Sequence, residues 1–166
     1  MAKSRLVYDI VAELLDVTAC ERTIRVSSGA TLGRFNHVLC TAFGWPSDGP
    51  YVFTASHLRF EGRWTPAAPQ GDVREIRLRQ LLPDVGARLD WQYGPGGRRQ
   101  VALRLARVHL PDELLVTPTC LAAMGLPPSL EAARGRSSSL GGTVDGATPV
   151  GNGLVVAINA ALARLR

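Results

Sequence analysis

The residues best equipped for chemistry in this chain are arginines. Between Arg74 and Arg107 stand eight of them against three acids, Glu75, Asp84 and Asp90, and that excess equals the whole chain's formal net charge of +5. A guanidinium stays charged and holds its donors in a planar fork that fits phosphate and carboxylate oxygens, so this segment reads as a basic face for an anionic partner. Arg74, Arg77, Arg98, Arg99 and Arg104 are the candidate anion-binding residues. Lys3 is the only lysine, and an arginine excess of this size also serves solubility.

Other chemistry-bearing types are sparse. The stretch "RLDWQYGPGGRRQ", residues 88–100, runs an aromatic strand into a glycine-rich bend, but the bend itself carries no acid or histidine. His37 and Cys40 are three apart and can share a metal or form a thiol–imidazole pair, yet no third ligand has a readable spacing. Cys20, Cys40 and Cys120 are odd in number and far apart, which predicts free buried thiols rather than zinc or disulfides. No Gly-Lys-Ser/Thr ending marks a phosphate loop, and no cofactor or metal is expected. Trp45, Tyr51, Phe53, Trp91 and Tyr93 can line an apolar cleft, with Arg22 and Gln92 as its polar anchors; the same rings can equally be core.

These side chains need elements to hold them. A chain of 166 residues that is 46% hydrophobic and 20% charged suits one α+β domain. Asp9, Glu13 and Asp16 interrupt the first residues, so neither a signal peptide nor a membrane span is read, and a cytoplasmic location is expected. From Arg5 to Asp16 one parity, Leu6, Tyr8, Ile10, Ala12 and Leu14, is wholly apolar, which predicts a half-buried strand, with "ERTIRV" as its hairpin partner. Thr31 caps an amphipathic helix that Gly44 stops. "YVFTASHLRFEGRW" reads as one or two strands, "VREIRLRQLL" as a helix near 73–82, and "ARLDWQY" and "RQVALRLARVHL" as two strands joined by "GPGG". The domain is expected to comprise a core over 1–133, a Gly/Ser-rich loop over 134–153 and a docked C-terminal helix over 154–166. An antiparallel or mixed sheet packs against the central helix.

The run "VYDIVAELLDVTACERTIRVSSGATLGRFNHVLCTAFGW" resembles the start of the Ri-plasmid open-reading-frame-three-like family, also met as an insertion-element passenger group labelled resolvase-like. Arg22, Thr31, Leu32, Phe43, Gly44 and Trp45 fall on its pattern of two strands and a helix ending in Phe-Gly-Trp. "IRLRQLL" resembles its short helix and "TPTCLAAMGLPP" its Pro-x-Cys-Leu segment, while "RLDWQYGPGGRRQVAL" takes the place of its Tyr-Asp-x-Gly-Asp-x-Trp-x-His hairpin. The departures remove acids and histidines: Gln92, Pro95, Gly97 and Arg99 stand in the hairpin, Asn36 on the helix, Gly49 and Tyr51 after it, Ser129 and Leu130 near the end. The resemblance implies a fold and a mobile-element association, and no reaction.

Three readings of function follow. A noncatalytic module can bind nucleic acid through the arginine-bearing hairpin and short helix, with Trp91 and Tyr93 stacking bases if exposed. An enzyme or small-molecule binder can use the aromatic cleft. A structural or regulatory partner can dimerise through the C-terminal helix.

Overall fold

The computed structural model describes residues 5–16, 19–63, 76–127 and 152–166. The apolar parity of the first strand decides which way it faces: in β1 (Val7–Leu14), Tyr8, Ile10, Ala12 and Leu14 are buried on one side. β2 (Glu21–Ser27) pairs with it antiparallel and puts Arg22, Ile24 and Val26 on that same inner face. β3 (Pro50–Ala55), β4 (Leu58–Arg63), β5 (Arg88–Tyr93), β6 (Arg99–His109) and β7 (Thr119–Met124) complete a seven-stranded sheet in the order β4-β3-β5-β6-β1-β2-β7. Every neighbouring pair is antiparallel, so the fold is α+β and the sheet is antiparallel rather than mixed.

α1 (Leu32–Phe43) lies on the inner face. Thr31 Oγ1 accepts from the Arg34 N–H at 3.2 Å, and Gly44 closes the helix at φ 72°. Leu32, Phe35, Val38, Leu39, Ala42 and Phe43 point into the sheet, and Phe35 stacks on Phe53 of β3. α3 (Asn152–Leu162) packs on β7 and α1 with Ile158 and Leu162 buried. Its Asn159 amide grips the backbone of Cys120, accepting from the N–H at 2.7 Å and donating to the carbonyl at 2.9 Å. This clamp occupies polar groups that an edge strand otherwise offers to another chain.

Local differences from the sequence reading have tertiary causes. The helix expected near 73–82 is a single turn, α2 (Leu78–Leu81), because Arg77 forms an antiparallel bridge with Thr31 and stays extended. Residues 73–75, including Arg74, lie outside the described residues, as does the expected loop over residues 134–151; Asn152 and Gly153 already belong to α3. β7 was not foreseen, since only Cys120 of it is buried and its pairing with β2 supplies the order. The bend between β5 and β6 is rich in glycine for a backbone reason: Gly94, Gly96 and Gly97 take φ of 87°, 70° and 63°, a region closed to most side chains. Among the described residues no helix is long and apolar enough to cross a membrane.

Candidate functional site

The arginines that are close in sequence do not form one cluster. Arg98 is exposed at the tip of the β5–β6 bend, as expected, and makes no ion pair with a described residue. Arg99 does not project freely into solvent: it begins β6 opposite Tyr93 and its Nη1 lies 3.3 Å from Asp16 Oδ2. Asp16 Oδ1 also accepts from the Gln100 N–H at 3.1 Å, so this acid fastens the base of the hairpin. Arg104 is exposed in the middle of β6, directly opposite Arg88 of β5. Like charges in that position repel unless an anion lies between them.

Arg77 belongs to a different group. It borders a cleft of about 270 Å³ together with Arg5, which leads into β1, and Arg34 in the first turn of α1. Ser27, Gly29, Ala30 and Thr117 also line it, and no acid of the described residues does. Arg77 Nη1 donates to the Gly29 carbonyl at 2.6 Å, and Arg34 Nη2 donates to the Leu165 carbonyl. Each guanidinium has five N–H donors, so these anchors fix its position and leave donors for a ligand. A cation in the first turn also opposes the positive end of the helix, and an anion in the cleft relieves both repulsions at once. Sequence reasoning missed Arg5 and Arg34 because they stand outside the basic run, in a remainder that is neutral overall. The readable signal was the position of Arg34 just after an N-cap.

A second constellation also escaped the sequence reading. Asp9 Oδ1 accepts from Arg25 Nε at 2.8 Å, while its Oδ2 accepts from Arg25 Nη2 at 3.0 Å and lies 2.7 Å from His109 Nε2. Burial alone raises the Asp9 pKa, but the hydrogen bonds and charges of Arg25 and His109 outweigh it and hold the carboxyl below its ordinary value. Both oxygens are occupied, so the group acts as a lock across β1, β2 and β6.

The expected aromatic cleft is filled. Trp45, Tyr51, Phe53, Trp91 and Tyr93 are all buried, with Trp45 and Tyr93 stacked at 5.7 Å between centroids and Trp91 tilted against both. The helix α1 packs on these rings, and their polar groups are used internally: Trp91 Nε1 donates to Asn36 Oδ1 at 3.1 Å, and the Tyr93 hydroxyl donates to the Pro46 carbonyl. Burial raises the Tyr51 hydroxyl to about 12. Gln92 sits on the opposite face of the sheet, between Val52 and Gln100, because alternation turns it away from its neighbours Trp91 and Tyr93. Arg22 is buried elsewhere, beside an open groove, with its guanidinium 5.3 Å from the centre of the Phe43 ring.

His37 and Cys40 form no pair either. His37 Nε2 lies 3.4 Å from Ser47 Oγ, whereas the Cys40 thiol points to Asn36 Oδ1 at 3.9 Å. All three cysteines are free and buried, and burial raises each thiol pKa. A thiolate-selective disulfide reagent should therefore label none of them in the folded protein and all three after denaturation. Fast labelling of the native chain would contradict this placement. Among the described residues no three His, Cys, Asp or Glu side chains converge as a metal site.

Relatives confirm the architecture. A solved structure of a Methanosarcina mazei Go1 protein of unknown function, MM3350, superimposes with a TM-score of 0.63 at 16% identity, covering 78% of this chain and 75% of that one. At that identity the likeness concerns the fold alone. No curated protein matches the chain. The model of the plasmid pRiA4b ORF-3-like proteins matches residues 7–131, from the first residue of β1 past the end of β7, and the chain belongs to that family.

Proposed function

We propose that this protein is a noncatalytic binding module of mobile-element type whose partner is nucleic acid, held through guanidinium–phosphate contacts. The observation that carries the reading is the cleft lined by Arg5, Arg34 and Arg77, brought from three separate segments, with no acid of the described residues in the lining. Arg88, Arg98 and Arg104 do not line it and add positive charge elsewhere on the surface. Contact is to the phosphate backbone: among the described residues every tryptophan and tyrosine, Trp45, Trp91, Tyr8, Tyr51 and Tyr93, is buried and unable to stack on bases. Binding of this kind is tolerant of sequence and sensitive to salt. A cytoplasmic location fits the three unpaired thiols.

Fluorescence anisotropy with a labelled DNA duplex tests where the contacts lie. Replacing Arg5, Arg34 and Arg77 together by alanine should weaken binding by roughly a hundredfold or more at low salt, while Arg98→Ala costs about tenfold or less. Circular dichroism checks that each variant is folded. A triple variant that is folded and binds at full strength, or a native protein that binds no DNA, would refute the proposal.

A further inference from the structure

Arg22 is 1% exposed, yet no carboxylate of a described residue lies within ion-pair distance of it. Its Nε donates to the Ala42 carbonyl at 3.1 Å, and its Nη1 donates to the carbonyls of Glu21 and Met124 at 2.8 and 2.9 Å. No oxygen of a described residue accepts from Nη2. The Glu21 side chain does not serve as a counter-ion, because alternation along β2 turns it to the other face of the sheet. The thiols that feel the Arg22 charge, Cys20 and Cys120, are raised by burial and stay neutral. Three neutral carbonyls and the Phe43 ring thus surround a full positive charge, and a buried cation without an anion is costly.

This guanidinium forms part of the wall of a groove of about 480 Å³ between the end of α1, the end of β7 and α3. Phe43, Trp45, Leu126, Leu154 and Ile158 make the rest of the wall largely apolar, and among the described residues Arg22 is the only charged side chain in it. The volume is that of a small-ligand pocket, and one charged group in an apolar lining is the arrangement that orients such ligands. We propose that this groove binds a small apolar monocarboxylate, its carboxylate accepting from Arg22 and its hydrocarbon body lying against Phe43, Trp45 and Ile158. The charge decides the head group: an ammonium is repelled and an alcohol leaves the cation uncompensated. The site is separate from the arginine cleft, and either proposal can fail without the other.

Isothermal titration calorimetry with decanoate, below its micelle concentration, tests the assignment. Decanoate should bind the native protein at least tenfold more tightly than decanol, and decylammonium should not bind. Arg22→Gln should bring decanoate down to the level of decanol. Because that substitution also removes carbonyl contacts, Ala157→Trp is the second variant: a bulky ring on the α3 side of the groove should abolish decanoate binding while thermal stability is kept. Equal affinity for decanoate and decanol, no binding of decanoate to the native protein, or undiminished binding to the folded Ala157→Trp variant would each overturn the proposal.

Discussion

Replacing Trp91 with alanine should cost about 4 kcal/mol of stability, the range of a large aromatic removed from a packed interior. The indole is 0% exposed and lies within ring-contact distance of Phe43, Trp45, Phe53 and Tyr93. Its removal opens a cavity that α1 and β3 cannot both collapse into, and it leaves Asn36 Oδ1 without the indole N–H. The milder Trp91→Phe keeps an aromatic ring but loses the hydrogen bond and part of the buried indole together, and should cost about 2 kcal/mol. Urea unfolding measures both. The outcome also separates the two uses of this ring that the sequence leaves open: a base-stacking tryptophan would lose DNA affinity with little change in stability, and that result would place it at the surface.

Asp9→Asn should cost about 3 kcal/mol at neutral pH, because it leaves the Arg25 guanidinium and His109 facing a neutral amide in a mostly buried position. The pH dependence has a definite sign. A carboxyl held below its ordinary pKa binds fewer protons folded than unfolded, so its contribution is fully present above about pH 4 and is lost as the pH falls further. The gap in stability between native protein and variant should therefore narrow below about pH 4. A gap that is constant with pH would show that the charge of Asp9 is not what joins β1, β2 and β6.

Much of the fold was legible because the informative residues alternate. Tyr8, Ile10, Ala12 and Leu14 define the buried face of β1 without any long-range knowledge, and Thr31 and Gly44 bracket α1 by capping chemistry alone. β7 was hidden for the opposite reason: "TCLAAM" has no apolar alternation, and its strand conformation comes from the β2 edge and the Asn159 clamp. The sequence of aromatic residues is the same for a cleft as for a core, and only the position of α1 on Trp91 distinguishes them.

The candidate site was half legible. The arginine excess is real, but β6 is eleven residues long, so Arg99 and Arg107, near its two ends, stand roughly 25 Å apart. Nearness in sequence became separation in space. The reverse holds for Arg5, Arg34 and Arg77, which only the pairing of Thr31 with Arg77 and the course of the chain around β1 and β2 bring to one cleft.

The most direct test of the account is the salt dependence of DNA binding. Plotted as the logarithm of the affinity against the logarithm of salt concentration, the native protein should give a steep straight line, and loss of Arg5, Arg34 and Arg77 should flatten it by about one unit per lost phosphate contact. An affinity that does not respond to salt, or a slope that the triple variant leaves unchanged, would contradict the claim that this cleft holds phosphate.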